Sequence, residues 1–273
     1  MNTSSSFASY NGSIMHLADA MRLWQLHVPQ TGVGVFETIL MHERRIPLLL
    51  EHWERAVKGM QALLLPWPSA LNSAMLLYEA QVLAERHDYT NARLKLQLSA
   101  TADGIPVYLL TMMLWTDAPW LGGEREVCLY PTPLLCFTPY SFAKSLSRQP
   151  YELALRYAQQ HGCNECLLMN EQRQIVEGAN SNVFIYEGSG WLTPALPSGA
   201  VTGVLRRVLL EQFEAEEGDI SPERLLASDE VILTNAVRGV QPIAVLNNNR
   251  LFETTRGSEL AQQVQQWLLE KKN

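Results

Sequence analysis

A lysine, a glutamate and two threonine-containing segments follow one another in the second half of the chain. Lys144 is one of five lysines and the only one between Lys95 and Lys271. It precedes Glu177, in the segment QIVEGANSN, and then the segments SGAVTGVLR and VILTNAVRGV. An amine can form a Schiff base, a carboxylate can pair with a ring nitrogen, and threonines near a helix start can bind phosphate. These residue types in this order predict a pyridoxal phosphate (PLP) site.

Each of these residues also has an ordinary structural interpretation. Lys144 could be a surface lysine, although the apolar-aromatic segment Tyr140–Ala143 before it would partly desolvate its ammonium and favour the neutral, nucleophilic amine. Glu177 could cap a turn, and Asn182 could be an Asx-turn residue rather than one that holds the loop after Glu177. The scarcity of lysines and the motifs that follow Lys144 favour the chemical interpretation.

Two segments are candidates for phosphate binding. The segment Ser198–Gly203 precedes a predicted helix, so backbone N–H groups at the helix start and the Thr202 hydroxyl could bind an anion. Thr234–Asn235 follows a predicted strand and is a second anchor, and Arg55 in HWER could add a charge-assisted contact. The alternatives are a glycine-flanked helix cap, a strand-end cap and an exposed helix arginine.

Length and composition restrict the class of protein. With 273 residues and 47% hydrophobic residues, the chain can bury a large core and fold as two domains. The net charge of −7 argues against a nucleic-acid surface, and no stretch is long enough to span a membrane. The N-terminus lacks the features of a secretory signal, which favours a cytoplasmic location. Cys163 and Cys166 lack a second pair at zinc-site spacing, so we expect no metal.

The order of predicted elements indicates an α/β (α+β) fold. A proline- and glycine-rich stretch, TDAPWLGG, suggests a small α+β domain over 1–117 and a larger cofactor-binding domain over 118–273. In the first domain, apolar runs around HERR predict a hairpin, and helical spacing predicts a helix over 50–65. Ser69 is expected to cap a second helix that runs to about His87.

Taken together, the motifs resemble those of one enzyme family. In chain order they are GVGVFET, HWER, FAKSLSR, VEGANSNVF, VTGVLR and TNAVRGVQP. This set resembles the fold-type IV PLP enzymes, or class IV aminotransferase family, over nearly the whole chain. Members include branched-chain aminotransferases, D-amino-acid aminotransferases and 4-amino-4-deoxychorismate lyases.

The resemblance implies a fold and a set of roles. It implies a small and a larger α/β domain with PLP at their interface, usually in a homodimer whose partner completes each site. Lys144 would be the Schiff-base lysine and proton shuttle, and Glu177 would pair with the pyridine nitrogen. The other implied cofactor-binding residues are Arg55, Asn182, Val201, Thr202, Thr234 and Asn235.

Two segments favour the lyase branch of the family. KSLSR resembles the lyase pattern K-x-L-N-R, with Ser147 in place of asparagine, and TNAVRGVQP resembles the lyase ending. An aminodeoxychorismate lyase would release pyruvate and 4-aminobenzoate on the folate pathway. The alternatives are a branched-chain or D-amino-acid aminotransferase and, from another class, a non-catalytic PLP-binding protein of the same fold.

Two positions depart from the family pattern. Ala100 and Thr101 stand where lyases and D-amino-acid aminotransferases often have Arg-Gly, and Val33 stands where aspartate is frequent. The usual arginine for the substrate carboxylate is therefore missing. Arg93 or Arg148 is the candidate replacement, and a structural role is the alternative for each.

Overall fold

The computed structural model describes residues 6–271, which divide into two compact units. The first contains the described chain up to Asp117, together with Ala143–Ser147 and Lys271. The second contains Ala118–Phe142 and Arg148–Glu270. The sequence suggested that Lys144 lies in the second domain, whereas the short segment that carries it groups with the first unit.

The first unit is built on a five-stranded sheet in which every neighbouring pair is antiparallel. Its strands are β1 (Phe7–Tyr10), β2 (Ser13–His16), β3 (Val35–Met41), β4 (Ala92–Ala100) and β5 (Pro106–Leu114), in the order β2-β1-β5-β4-β3. Its helices are α1 (Leu17–His27), α2 (Leu49–Ala62) and α3 (Ser73–His87).

Strand β4 separates an apolar face from a polar one because successive side chains of a strand point to opposite sides. On the polar face, Gln97 lies opposite Phe36 of β3, and Lys95 lies opposite Thr38. Residues opposite each other in an antiparallel pair share a face, so Lys95 and Phe36 are on the same side of this sheet. The other face carries the buried leucines Leu94, Leu96 and Leu98.

Two local predictions in this unit are wrong. The HERR turn closes with a single bridge between His42 and Arg45, and the chain then enters α2 instead of forming a second hairpin strand. Helix α3 begins at Ser73 and is capped by Asn72, whose side-chain oxygen accepts a hydrogen bond from the Met75 N–H at 2.8 Å. The expected cap, Ser69, lies in the loop before it.

The second unit has nine strands and four helices in the described part of the chain. The strands are β6 (Arg125–Leu129), β7 (Glu165–Met169), β8 (Ile175–Gly178), β9 (Asn182–Tyr186), β10 (Trp191–Pro194), β11 (Glu216–Gly218), β12 (Glu230–Asn235), β13 (Gly239–Leu246) and β14 (Arg250–Leu251). They pair in the order β11-β10-β9-β12-β13-β6-β7-β8, with β14 beside β13. The helices are α4 (Gln149–Gln160), α5 (Val204–Gln212), α6 (Pro222–Ala227) and α7 (Thr255–Glu270).

Three buried strands of the second unit place polar residues near their ends. Glu177 lies near the end of β8, Asn182 begins β9, and Thr234 lies near the end of β12. Thr234 and Asn182 are directly opposite each other in the antiparallel β9–β12 pair. The apolar side chains of these strands pack in a core that includes Val183, Ile185, Val231 and Leu233.

No helix in residues 6–271 has both the length and the apolar character needed to cross a bilayer.

Candidate active site

The segment that carries Lys144 is fixed to the edge of the sheet in the first unit. The Phe36 N–H donates to the Lys144 carbonyl at 2.9 Å, and the Leu146 N–H donates to the Gly34 carbonyl at 2.9 Å. A side chain at Gly34 would bring its Cβ to 2.5 Å from the carbonyl oxygen of Leu98 and 2.7 Å from the Leu146 Cδ1. Glycine in GVGVFET therefore allows the lysine segment to approach β3.

The Lys144 ammonium shares an aromatic ring with a second lysine. Its Nζ lies 4.6 Å from the centroid of the Phe36 ring, and the Nζ of Lys95 lies 5.6 Å from the same centroid. Cations are attracted to the face of an aromatic ring, which helps to orient both side chains. Sequence reasoning missed Lys95. Its alternation with the buried leucines of β4 indicated a polar face, but only the register of β3 and β4 brings it to Phe36.

Arg93 lies farther along the same face of β4. It is four residues before Gln97, the residue opposite Phe36, which corresponds to roughly 13 Å along a strand. Its guanidinium contacts the Sδ of Met113 at 3.3 Å. The structure therefore does not bring Arg93 to the ring that Lys144 and Lys95 share.

Arg55 lies on α2 and binds a buried carboxylate. Its Nε and Nη2 donate to the two oxygens of Glu37 at 2.8 and 2.5 Å. His52 Nδ1 contacts Glu37 at 2.6 Å. Burial lowers the pKa of His52, so we assign a neutral imidazole that donates this hydrogen bond. Burial raises the pKa of Glu37, but the charge and hydrogen bonds of Arg55 outweigh burial and hold the pKa at about 2.

This ion pair gives Arg55 a structural role that the sequence did not predict. Glu37 and Arg55 are 18 residues apart in the chain. The packing of α2 on β3 brings the two side chains together. Bidentate contacts of this kind orient the planar guanidinium. The predicted phosphate contact of Arg55 stays a prediction, and Glu37 is the residue that would hold Arg55 in place for it.

In the second unit, the Glu177 carboxylate is buried and satisfied from several directions. Its Oε1 accepts a hydrogen bond from the Tyr151 hydroxyl at 2.8 Å. Its Oε2 accepts from the Asn182 side-chain amide and from the Val201 N–H, both at 3.1 Å. Only 3% of the surface of Glu177 is exposed to solvent. The acidic residue is thus placed in one defined orientation.

Asn182 and Glu177 together hold the peptide groups around Val201. The Asn182 amide donates to the Val201 carbonyl at 3.0 Å, while Glu177 accepts from the Val201 N–H. A Cβ at Gly203 would lie 1.7 Å from the Oδ1 of Asn182, so the chain can pass this side chain only with glycine there. The expectation that Asn182 holds a loop agrees with these contacts, although the loop held is the one before α5.

The region before α5 presents polar groups that suit an anion. The hydroxyls of Thr234 and Ser198 are buried and have no hydrogen-bond partner among the described residues. Helix α5 starts after Gly203 without a side-chain cap, so its first N–H groups have no such acceptor. Burying an unpaired hydroxyl is unfavourable in the absence of a ligand. These residues fit the phosphate of PLP.

Two further predicted residues have partners in the protein. The Thr202 N–H donates to the Phe142 carbonyl at 3.1 Å. The side-chain oxygen of Asn235 accepts from the N–H groups of Val237 and Arg238 at 3.1 and 2.8 Å, which stabilises the turn after β12. The Asn235 side chain therefore stabilises a turn in the manner of an Asx motif.

Arg148 is held by the loop that follows Glu177. Its Nη2 donates to the Ala179 carbonyl at 3.1 Å and to the Asn180 side-chain oxygen at 3.0 Å. Its Nε lies 3.4 Å from a carboxylate oxygen of Glu152, one turn along α4. These contacts favour the structural alternative for Arg148 over binding of a substrate carboxylate.

The chain is similar to known proteins over most of its length. The sequence model described as amino-transferase class IV matches residues 34–246. Aminodeoxychorismate lyase of Bacillus subtilis is 26% identical over 279 residues, which covers 91% of this chain and 88% of the lyase. D-alanine aminotransferase of Staphylococcus epidermidis is 23% identical, with 94% of each chain covered.

A solved structure with the same fold is the branched-chain aminotransferase of Thermoproteus uzoniensis. It has a TM-score of 0.84 at 16% sequence identity, with 98% of this chain and 96% of that chain covered. Identity this low bears on the fold alone. The predicted fold class, α/β (α+β) of the fold-type IV kind, is confirmed.

The buried hydroxyl of Thr234 gives a first prediction. Thr234→Val removes an unpaired polar group while keeping the shape of the side chain. We expect the cofactor-free protein to be as stable as the unchanged protein or more stable by about 1 kcal/mol. We expect its affinity for PLP to fall about tenfold or more, because a hydrogen bond to a charged group is lost. Urea unfolding and absorbance titration with PLP measure the two effects.

Thr193→Val is the matched control. The Thr193 hydroxyl is also buried, but it donates to the Val183 carbonyl at 2.8 Å. This variant should lose about 1 kcal/mol of stability and keep its PLP affinity. A destabilised Thr234→Val protein with unchanged affinity would show that the Thr234 hydroxyl serves the fold.

The buried ion pair of the first unit gives a second prediction. We expect Glu37→Gln to lower the free energy of unfolding by roughly 3 kcal/mol near neutral pH, because Arg55 loses its partner. The pKa of Glu37 is depressed from 4.5 to about 2. Its contribution is therefore present above the unfolded pKa and is lost as pH falls toward 2.

The difference between the two proteins should accordingly shrink between about pH 5 and about pH 3 in urea unfolding experiments. Glu43→Gln, which removes an exposed partner of Arg45, is the control and should change stability by less than about 1 kcal/mol. A loss for Glu37→Gln that stays constant across this pH range contradicts the assigned charge state.

Proposed function

Because the chain belongs to the class IV aminotransferase family, we propose that it is a PLP-dependent enzyme that acts on an amino acid-like carboxylate. The activity that we propose is that of an aminodeoxychorismate lyase, which releases pyruvate and 4-aminobenzoate. The observation that supports PLP most directly is the cluster of Glu177, Asn182 and the Val201 peptide, near a buried, unpaired hydroxyl on the strand β12.

The residues of this chain take distinct roles in the proposal. Thr234 and Ser198 bind the phosphate through hydroxyls that are buried without a partner among the described residues. The start of α5, which has no side-chain cap, adds backbone N–H groups. Glu177 accepts a hydrogen bond from the ring nitrogen and balances its charge. Lys144 holds the cofactor covalently and moves the proton at the substrate α-carbon. When bound, PLP supplies a ring that withdraws electrons from that carbon.

Two sequence segments and the extent of one similarity favour the lyase over a transaminase. KSLSR and TNAVRGVQP both resemble the lyase patterns, and the similarity to the Bacillus subtilis lyase extends over 91% of the chain. An aminotransferase is the second candidate, because the D-alanine aminotransferase aligns with 94% of the chain. The proposed roles of Lys144 and Glu177 serve both activities.

We assign the substrate carboxylate to Lys95. Ala100 and Thr101 replace the usual Arg-Gly, and Arg93 and Arg148 bind protein groups. Lys95 is exposed and brings its ammonium to the same ring as Lys144. A carboxylate next to the reacting carbon would therefore meet a cation from β4.

The setting proposed for the enzyme follows the family. We propose a homodimer in the cytoplasm that contributes to folate synthesis, with small-molecule substrates and no nucleic-acid partner. The net charge of −7 supports the absence of a nucleic-acid partner, because a negatively charged protein repels a polyanion.

The third prediction tests the proposed activity. Purified protein with PLP should show a visible absorption band that borohydride removes, and should convert aminodeoxychorismate to 4-aminobenzoate. Lys144→Ala should fold, as judged by circular dichroism, and lose both the band and the activity. Lys58→Ala, on the exposed face of α2, is the control and should keep both.

Different outcomes separate the candidates. Amino transfer from amino acids to 2-oxoglutarate without formation of 4-aminobenzoate would identify a transaminase. A band without turnover of either kind of substrate would identify a non-catalytic PLP-binding protein. Retention of the band in Lys144→Ala would contradict the assignment of the lysine.

The fourth prediction tests Lys95. Lys95→Gln should raise KM about tenfold or more, with a smaller effect on kcat and no loss of the visible band, because a charge-assisted contact to substrate is lost. Arg93→Gln on the same face should leave KM within about twofold. Steady-state kinetics measure both, and equal effects of the two substitutions would contradict a specific role for Lys95.

A further inference from the structure

Tyr151 connects helix α4 to the Glu177 carboxylate. Its hydroxyl donates to Oε1 of Glu177 at 2.8 Å. Burial raises the pKa of Tyr151 well above its ordinary value, and the nearby Glu177 charge raises it further. The hydroxyl therefore keeps its proton near neutral pH and donates this hydrogen bond.

The contact brings a donor to the second oxygen of Glu177. Oε2 receives hydrogen bonds from Asn182 and Val201, which lie at the start of β9 and before α5. Oε1 receives the one from Tyr151, which lies in the first turn of α4. Tyr151 thus adds a donor on the oxygen opposite the one that Asn182 and Val201 contact, which restricts rotation of the carboxylate.

Tyr151 is itself contacted by Arg148, the residue directly before α4. The Arg148 guanidinium lies 5.1 Å from the centroid of the Tyr151 ring. Arg148 also donates to the Ala179 carbonyl and the Asn180 side chain, in the loop directly after Glu177. Tyr151 thus contacts the Glu177 side chain, and Arg148 contacts the loop that follows Glu177.

We propose that Tyr151 is a positioning residue that fixes the Glu177 carboxylate for the ring nitrogen of the cofactor. This inference rests on the proposed function. A hydrogen bond to an ionised carboxylate stabilises the charge as well as the orientation. Tyr151 would therefore help to keep the ring nitrogen protonated and, through it, set the electron demand of the ring. Tyr151 does not touch the substrate in this assignment.

The experiment compares two tyrosines of α4. Tyr151→Phe removes only the hydroxyl. Tyr157→Phe is the matched control, because Tyr157 packs against Tyr130 and His161 instead of a carboxylate. For each protein loaded with PLP, the pH midpoint of the visible band, the PLP affinity, kcat and KM are measured.

We expect Tyr151→Phe to raise the pH midpoint of the band by about half a unit or more. Without the Tyr151 hydroxyl, the ring nitrogen of the cofactor would carry less positive charge. The group that joins the cofactor to Lys144 would then lose its proton only at a higher pH. We expect kcat to fall about tenfold with KM changed less, because the interaction acts on the chemical step. Tyr157→Phe should leave the midpoint and kcat unchanged. Glu177→Gln should shift the midpoint in the same direction and farther than Tyr151→Phe.

A second variant gives the opposite perturbation. Replacing Tyr151 with 3-fluorotyrosine makes the hydroxyl a stronger donor without removing it, so the midpoint should move to lower pH. This measurement decides the question even if Tyr151→Phe does not fold.

The failures of the two proposals are distinguishable. If Tyr151→Phe and the fluorotyrosine protein both show the midpoint and kcat of the unchanged protein, the role of Tyr151 is overturned while the PLP enzyme stands. If the unchanged protein shows no band with PLP, both proposals are overturned.

Discussion

The buried carboxylate of Glu177 constrains the second unit most. Glu177 accepts hydrogen bonds from a tyrosine, an amide side chain and a backbone N–H, which come from α4, β9 and the segment before α5. A charge in such a position is unfavourable unless its oxygens are satisfied. These elements therefore have to meet around it, and the loop before α5 acquires its shape from the same contacts.

Glycines at two positions let the functional residues approach their neighbours. At Gly34 the absence of a side chain admits Leu146 and, with it, the lysine segment beside β3. At Gly203 it admits the Asn182 side chain against the backbone. The sequence motifs GVGVFET and VTGVLR thus contain glycine for packing reasons, in addition to any role with a ligand.

Much of this arrangement follows from local sequence. The strands that carry Glu177, Asn182 and Thr234 are short apolar runs, and α2 begins at Leu49, next to the start of the helix predicted over 50–65. The partners of the polar residues were not predictable in the same way. Glu37 with Arg55, Lys95 with Phe36, and Tyr151 with Glu177 are contacts between distant elements. Their formation depends on strand register and helix packing, which no local pattern specifies.

The sequence motifs separate a lyase from a transaminase poorly, because most of their residues are proposed to bind the cofactor and few to contact the substrate. In the proposed function, the group of Glu177, Asn182 and Thr234 binds the cofactor, which a lyase and a transaminase share. Discrimination between substrates has to come from side chains that meet the substrate itself, for which the polar face of β4 is the candidate in the first unit. On that face Lys95 offers a flexible point charge, where an arginine would offer a planar, bidentate donor. A lysine can therefore accept a carboxylate in more than one orientation, whereas an arginine would favour one.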